Sequence, residues 1–242
     1  MQQISKNAGI SVRVRVVIWL PVLVLVCMTC AAGRGAERGL GRVTTNQPPA
    51  SSTNSGSLSI TTNYYRFGGT NHSQMRAAMK EARPWKQTQV FDAQTTWDVH
   101  STFRVRREGD QFVLGSVDVR TRVVITLPWW IPGKPVPRDL VERWNKCVDG
   151  LSRHEQGHLV LARAAGAEVE NRLRALPASG SPRELTAAAD QTVVATIDEF
   201  RARERKYDEV TRHGVTQGAV FPMRDQEARG LQSAATPGQG GL

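Results

Sequence analysis

Arg153-His154-Glu155-Gln156-Gly157-His158 is the stretch that decides how the rest of the chain is read. It lies inside a long amphipathic pattern. Residues four apart on a helix stand one turn above each other, so His154 and His158 point the same way and can offer two imidazole nitrogens to one zinc ion. Glu155 follows His154 directly, where a carboxylate can take a proton from a metal-activated water, as in zinc peptidases. The competing reading is a solvated helical face bearing two surface histidines, which would need no third ligand.

The helix around this stretch is announced by Asp139-Leu140-Val141-Glu142, read as an N-cap acid with a Glu three residues on. An apolar stripe runs through Leu140, Trp144, Cys147, Leu151, His154, His158, Ala162, Ala165 and Val169 to about Leu176, which turns the histidines inward. Gly150 and Gly157 weaken such a helix by roughly 1 kcal/mol each relative to Ala, and leave room for a neighbour to approach closely. Pro177 to Gly180 is a turn. Ser181-Pro182-Arg183-Glu184 is then a capping box opening a second helix, whose stripe is Leu185, Ala189, Val193, Ile197, Phe200, Glu204 and Tyr207.

Upstream, Ser59 to Phe67 is strand-like, Gly68-Gly69 interrupts it, and Asn71 caps a helix from about Ser73 to Ala82. Trp97, Val99, Ser101, Phe103 and Val105 alternate with polar residues, as do Val117, Val119, Thr121, Val123, Ile125 and Leu127. With Glu108-Gly109-Asp110 between them, they make a hairpin of two long strands with one polar side, ended by Pro128. Trp129 and Trp130 are read as core edge, His72 and His100 as surface histidines. The class is therefore α+β: an antiparallel sheet packed on a long metal-binding helix and a second C-terminal helix.

The chain of 242 residues carries a net charge of +10, to which Lys6, Arg13 and Arg15 contribute three. These basic residues precede an apolar run from Val16 to Val26, followed by small residues, the pattern of an export signal with cleavage near Ala31 to Ala36. The run is shorter than the roughly 20 residues that span a bilayer, so no stable membrane span is expected after cleavage. An uncleaved anchor, or a lipid on Cys30, is the rival reading. Residues 1–33 are thus assigned to the signal, 34–58 to a flexible Gly/Ser/Thr/Asn/Pro-rich linker, 59–222 to the domain and 223–242 to a disordered tail. The expected location is secreted or periplasmic.

Of three cysteines only Cys147 falls in the mature chain, which excludes an internal disulfide. A basic exported protein is drawn to anionic cell-envelope surfaces. Nucleic acid is not expected as a partner, since no helix-turn-helix, zinc-finger spacing or aromatic-plus-basic strand organises the arginines.

A catalytic zinc takes three protein ligands and keeps one place for water. The spacing that would put a third histidine six residues after His158 fails at Leu161 and Ala164, which leaves Glu204, Asp208 and His213. Antiparallel helices at 1.5 Å per residue bring the chain back to the metal level near residue 200, about 27 Å of helix away and back, so Glu204 is close. His213 would be returned by a loop from Tyr207 to Gly214.

Taken together, Ile125-Thr126-Leu127-Pro128-Trp129, the His154–His158 motif, and Tyr207-Asp208-x-x-Thr211-x-His213-Gly214-x-x-Gln217-Gly218-Ala219 resemble a family of predicted secreted zinc-dependent proteases of bacteria, long labelled a domain of unknown function and grouped with zincin-like peptidases. The resemblance covers about Thr61 to Pro222. It implies a zincin-like fold, carries the metal motif over to His154, Glu155 and His158, and through its closing block favours His213 as third ligand over Asp208 and Glu204. The cysteine that relatives carry in the strand region is absent here. Asp208 can otherwise orient an imidazole from outside, and Tyr207 can donate to a developing oxyanion, which places it beside Glu155 among the catalytic candidates. The expected activity is hydrolysis of peptide bonds in a protein or peptide substrate by a zinc-activated water with Glu155 as general base. The alternatives are a zinc hydrolase of cell-wall or other non-protein amides, and a non-catalytic metal-stabilised binding module.

Overall fold

The computed structural model describes residues 10–14, 52–85 and 91–221. Strands β1 (Ile10–Val14), β2 (Ser52–Ser55) and β3 (Leu58–Phe67) are followed by helix α1 (His72–Ala82), the long hairpin β4 (Gln94–Glu108) and β5 (Gln111–Trp130), and helices α2 (Arg138–Arg174) and α3 (Pro182–Thr211). A single 3-10 turn, Val215–Gln217, closes the described chain.

The sheet order is β1-β4-β5-β3-β2, and β3 runs parallel to β5 while the other pairs are antiparallel. The expected antiparallel sheet is thus corrected to a mixed one. After β3 the chain crosses over through α1 before entering β4, and the hairpin then returns β5 alongside β3 in the same direction, as a crossover connection requires. Two boundaries move as well. Ser52–Ser55, assigned to the linker, pairs with Leu58–Thr61 as an edge strand, so the domain begins before residue 59. β5 continues through Pro128, which pairs with Tyr65. Beyond Thr126 the partner β4 has ended, so a residue without an N–H is tolerated there. Ile10–Val14, inside the segment read as a signal, pairs with Ser101–Val105 at the far edge. The rest of that signal, residues 34–51 of the linker and the tail lie outside the described residues.

The alternation read from the hairpin holds: Val99, Phe103, Val105, Val117, Val119, Val123, Ile125 and Leu127 are buried. They feed two apolar clusters on the helix-covered face. One gathers Phe67, Met75, Met79, Trp130, Trp144 and Cys147 under α1 and the first half of α2. The other joins Val99, Phe103, Val119, Val169, Leu173, Leu185, Val193 and Ile197 under the α2–α3 turn. At about 25 cal/mol per Å² of apolar area, this burial anchors α2 along its whole length. Trp130 is in the core, as expected, and donates to the Gly69 carbonyl at 2.8 Å.

Helix ends differ in detail from their reading. The α2 N-cap is Pro137 and makes no side-chain cap, so Asp139 lies within the first turn, where it faces the positive end of the helix dipole and pairs with Arg143 at 2.6 Å. Ser181 does cap α3, accepting from the Glu184 amide at 3.4 Å. The reciprocal half of the capping box is absent: Glu184 accepts from Ser179 Oγ instead. Ser179 also exchanges both backbone hydrogen bonds with Phe112, which ties the turn between the helices to the start of β5. That tie fixes where α3 sets out on its return along α2.

Candidate metal centre

α3 runs antiparallel to α2, since Arg172 bonds Glu199, His158 bonds Glu204 and His154 meets Asp208, the numbers rising on one helix as they fall on the other. The seven residues between Arg174 and Pro182 shift the crossing beyond residue 200, to Glu204 and Asp208. These two are four apart and share a face.

Three atoms converge between the helices. His154 Nε2 and His158 Nε2 are 3.2 Å apart. Asp208 Oδ1 lies 3.2 Å from the first and 3.1 Å from the second. A tetrahedral ion with bonds of about 2.0 to 2.1 Å sets its ligand atoms about 3.3 Å from one another, so the triangle is the right size for one. The geometry within it also matters. Oδ1 is buried and, despite its two close neighbours, makes no hydrogen bond of acceptable direction. The two Nε2 atoms and Oδ1 therefore crowd a single point, where one cation could meet all three.

Each imidazole is held from behind. His154 Nδ1 faces Gln217 Oε1 at 3.1 Å and Thr211 Oγ at 3.4 Å, and Thr211 spends its own proton on the Tyr207 carbonyl. His158 Nδ1 faces Glu204 Oε1 at 3.2 Å. With acceptors behind both rings, Nδ1 carries the hydrogen and Nε2 presents its lone pair inward, the arrangement of metal-ligating histidines.

His213, the favoured third ligand, is not in the triangle. Its ring is 49% exposed, packs on Phe91 with centroids 4.8 Å apart, and has Nδ1 3.7 Å from Asp208 Oδ1. The reason lies in where α3 ends. The stretch from Tyr207, read as a loop, stays helical through Thr211, which keeps Asp208 on the inward face. Arg212 (φ 51°) and His213 (φ 52°) then take left-handed conformations that turn the chain outward.

Tyr207 lies flat on His154, centroids 5.1 Å apart at 9°. Its hydroxyl donates to the His154 carbonyl at 3.0 Å and receives the Gln217 amide at 3.1 Å. The phenol proton has two acceptors within reach, the His154 carbonyl and Gln217 Oε1 at 3.3 Å, and the ring packs on His154. The two helical glycines explain how these groups come so near. A Cβ on Gly157 would overlap the Tyr207 phenol, and one on Gly150 would overlap the backbone of Gly218 and Ala219.

Glu155 is buried and accepts a 2.6 Å bond from Thr95 Oγ on β4. Burial raises its pKa, while the Thr95 bond and the nearby histidines oppose the rise. For His158 burial works against charging, but the neighbouring carboxylates of Asp208 and Glu204 outweigh it and push the pKa up to about 10. Asp208 is likewise penalised by burial, yet its two histidine neighbours hold it well below the usual carboxylate range.

Thr95, Trp97 and Gln217 received no site role from the sequence. Extending the β4 alternation back two residues from Trp97 reaches Thr95 on the same face, a signal that was available. Trp97 donates to Glu204 Oε1 at 2.7 Å. His72 and His100 stand outside the cluster, which among the described residues is the one group of three or more such side chains that can hold an ion.

No curated protein and no solved structure matches the chain significantly. A family described as "bacterial protein of unknown function (DUF922)" matches residues 62–214, a span that starts in β3 and holds Thr95, Trp97, His154, Glu155, His158, Glu204, Tyr207, Asp208 and His213. On that match over more than half its length, this chain belongs to the bacterial DUF922 family.

Proposed function

We propose that this protein is an exported zinc-dependent metallopeptidase of zincin-like type, with His154, His158 and Asp208 as the residues that hold the ion. The observation that carries the reading is the convergence of two back-anchored Nε2 atoms and an orphaned buried carboxylate oxygen at edges of 3.1 to 3.2 Å. Two nitrogens and one oxygen suit zinc, and three protein donors leave a coordination place open, as in catalytic rather than structural sites. A zinc ion held there supplies a Lewis acid that makes water acidic near neutral pH and polarises an amide carbonyl.

The protein's own groups do the rest. Thr95 occupies Glu155 Oε2, which leaves Oε1 to take a proton from the attacking water. Burial raises the affinity of this carboxylate for that proton, so Glu155 can hold it and then release it to the departing amide nitrogen. The Glu204 and Gln217 contacts keep both imidazoles from rotating out of line. His213, half exposed beside Asp208, stands at the rim.

Glu155→Gln tests the reading: turnover of casein should fall by at least about a hundredfold with the bound ion retained. Parental turnover in the variant would refute the assignment. Purified cell wall as a parallel substrate separates peptide hydrolysis from the cleavage of non-protein amides, which the basic charge and export signal also favour.

A further inference from the structure

Glu204 neither belongs to the triangle nor faces solvent freely, with a side chain 20% exposed. One of its oxygens, Oε1, receives two bonds: Trp97 Nε1–H from β4 at 2.7 Å and His158 Nδ1–H from α2 at 3.2 Å. A carboxylate on α3 therefore ties three elements together at the back of one metal-facing ring. Two residues earlier on the same face of β4, Thr95 holds Glu155. Both β4 residues are pinned in register by β5, Thr95 against Ile125 and Trp97 against Val123, two of the most deeply buried positions of the sheet. The opposite ring, His154, has a neutral amide and a hydroxyl behind it, so of the two imidazoles only His158 has a carboxylate at its Nδ1.

From this bridge we infer that Trp97 and Glu204 are positioning residues of the metal centre: the indole fixes the carboxylate, and the carboxylate fixes the ring of His158 with Nε2 turned inward. The start of β4 thereby aligns both a ligand and the general base. This rests on the metal-dependent reading above.

The test is a Co²⁺ titration of the full chain, as wild type, E204A, E204Q and W97F, followed by visible absorption of the ion and by tryptophan emission. E204A should weaken binding by about 10- to 100-fold, the usual effect of losing a partner behind a ligating histidine. E204Q keeps an oxygen able to accept both bonds and should regain most of that loss, with the wild-type Co²⁺ spectrum. W97F should weaken binding by the smaller factor of about 2 to 10 that one hydrogen bond is worth, and should abolish the metal-dependent emission change. The two conservative variants carry the test where E204A fails to fold. Unchanged affinity in E204A overturns the inference alone. E204Q as weak as E204A with an altered Co²⁺ spectrum also overturns it, because Glu204 would then itself be a ligand. A wild-type chain that binds no ion overturns both this inference and the metallopeptidase reading.

Discussion

If His158 holds the proposed ion, a proton and a metal compete for the same lone pair. Burial opposes protonation, but the facing carboxylates win and push its pKa up from 6.5 to about 10. A raised histidine stabilises the metal-free fold fully below pH 6.5, and that contribution is lost as pH rises towards 10. At pH 7 an incoming ion must displace the proton, so apparent metal affinity should climb with pH and about one proton should leave per ion bound. Calorimetry in two buffers of different ionisation enthalpy measures this; no proton release would contradict it. The Thr95 bond favours the charged form of Glu155. Thr95→Val should therefore move the acid limb of the pH–rate profile upward, and an unmoved limb would deny Thr95 that influence. His154, Glu155 and His158 were legible because a four-residue spacing is itself a statement about direction. Asp208 stood among three candidates for the third ligand, and the choice between them was not legible, because it depends on α3 persisting through Thr211.

On the scale of elements, α2 was almost wholly readable: every position of its expected stripe from Leu140 to Val169 is buried. Its glycines signalled a close approach without saying by what. Ala at 157 would gain about 1 kcal/mol of helix propensity, but its methyl would overlap a ring fixed by two hydrogen bonds and stacked on His154. Overpacking of this kind costs about 1 to 3 kcal/mol, so the clash prevails. Gly157→Ala should lower the melting temperature and weaken metal binding together, since Tyr207 and His154 move as one. Loss of neither, in thermal melts with and without Zn²⁺, would show that the ring can yield freely. The parallel β3–β5 pair was hidden for a different reason. An alternation of two fixes which face a residue occupies, but says nothing about which strand lies beside it.

For the whole molecule, the two described apolar clusters draw on residues from Leu58 to Phe221, and the backbone of Ile10–Val14 pairs along the β4 edge. A chain beginning at residue 34 should thus fold and keep its full complement of metal; aggregation of that shortened protein would make the leader part of the domain. No helix among the described residues is long and apolar enough to cross a membrane. The two apolar clusters hold α2 and α3 against one sheet face, and the donor triangle lies between those helices, so occupancy of the centre reports on the whole arrangement. The most direct measurement is the metal content of purified wild type, Asp208→Ala and His213→Ala by mass spectrometry under non-denaturing conditions. The account predicts one zinc per chain in wild type and His213→Ala, and none retained in Asp208→Ala. Zinc kept without Asp208, or lost without His213, would contradict it.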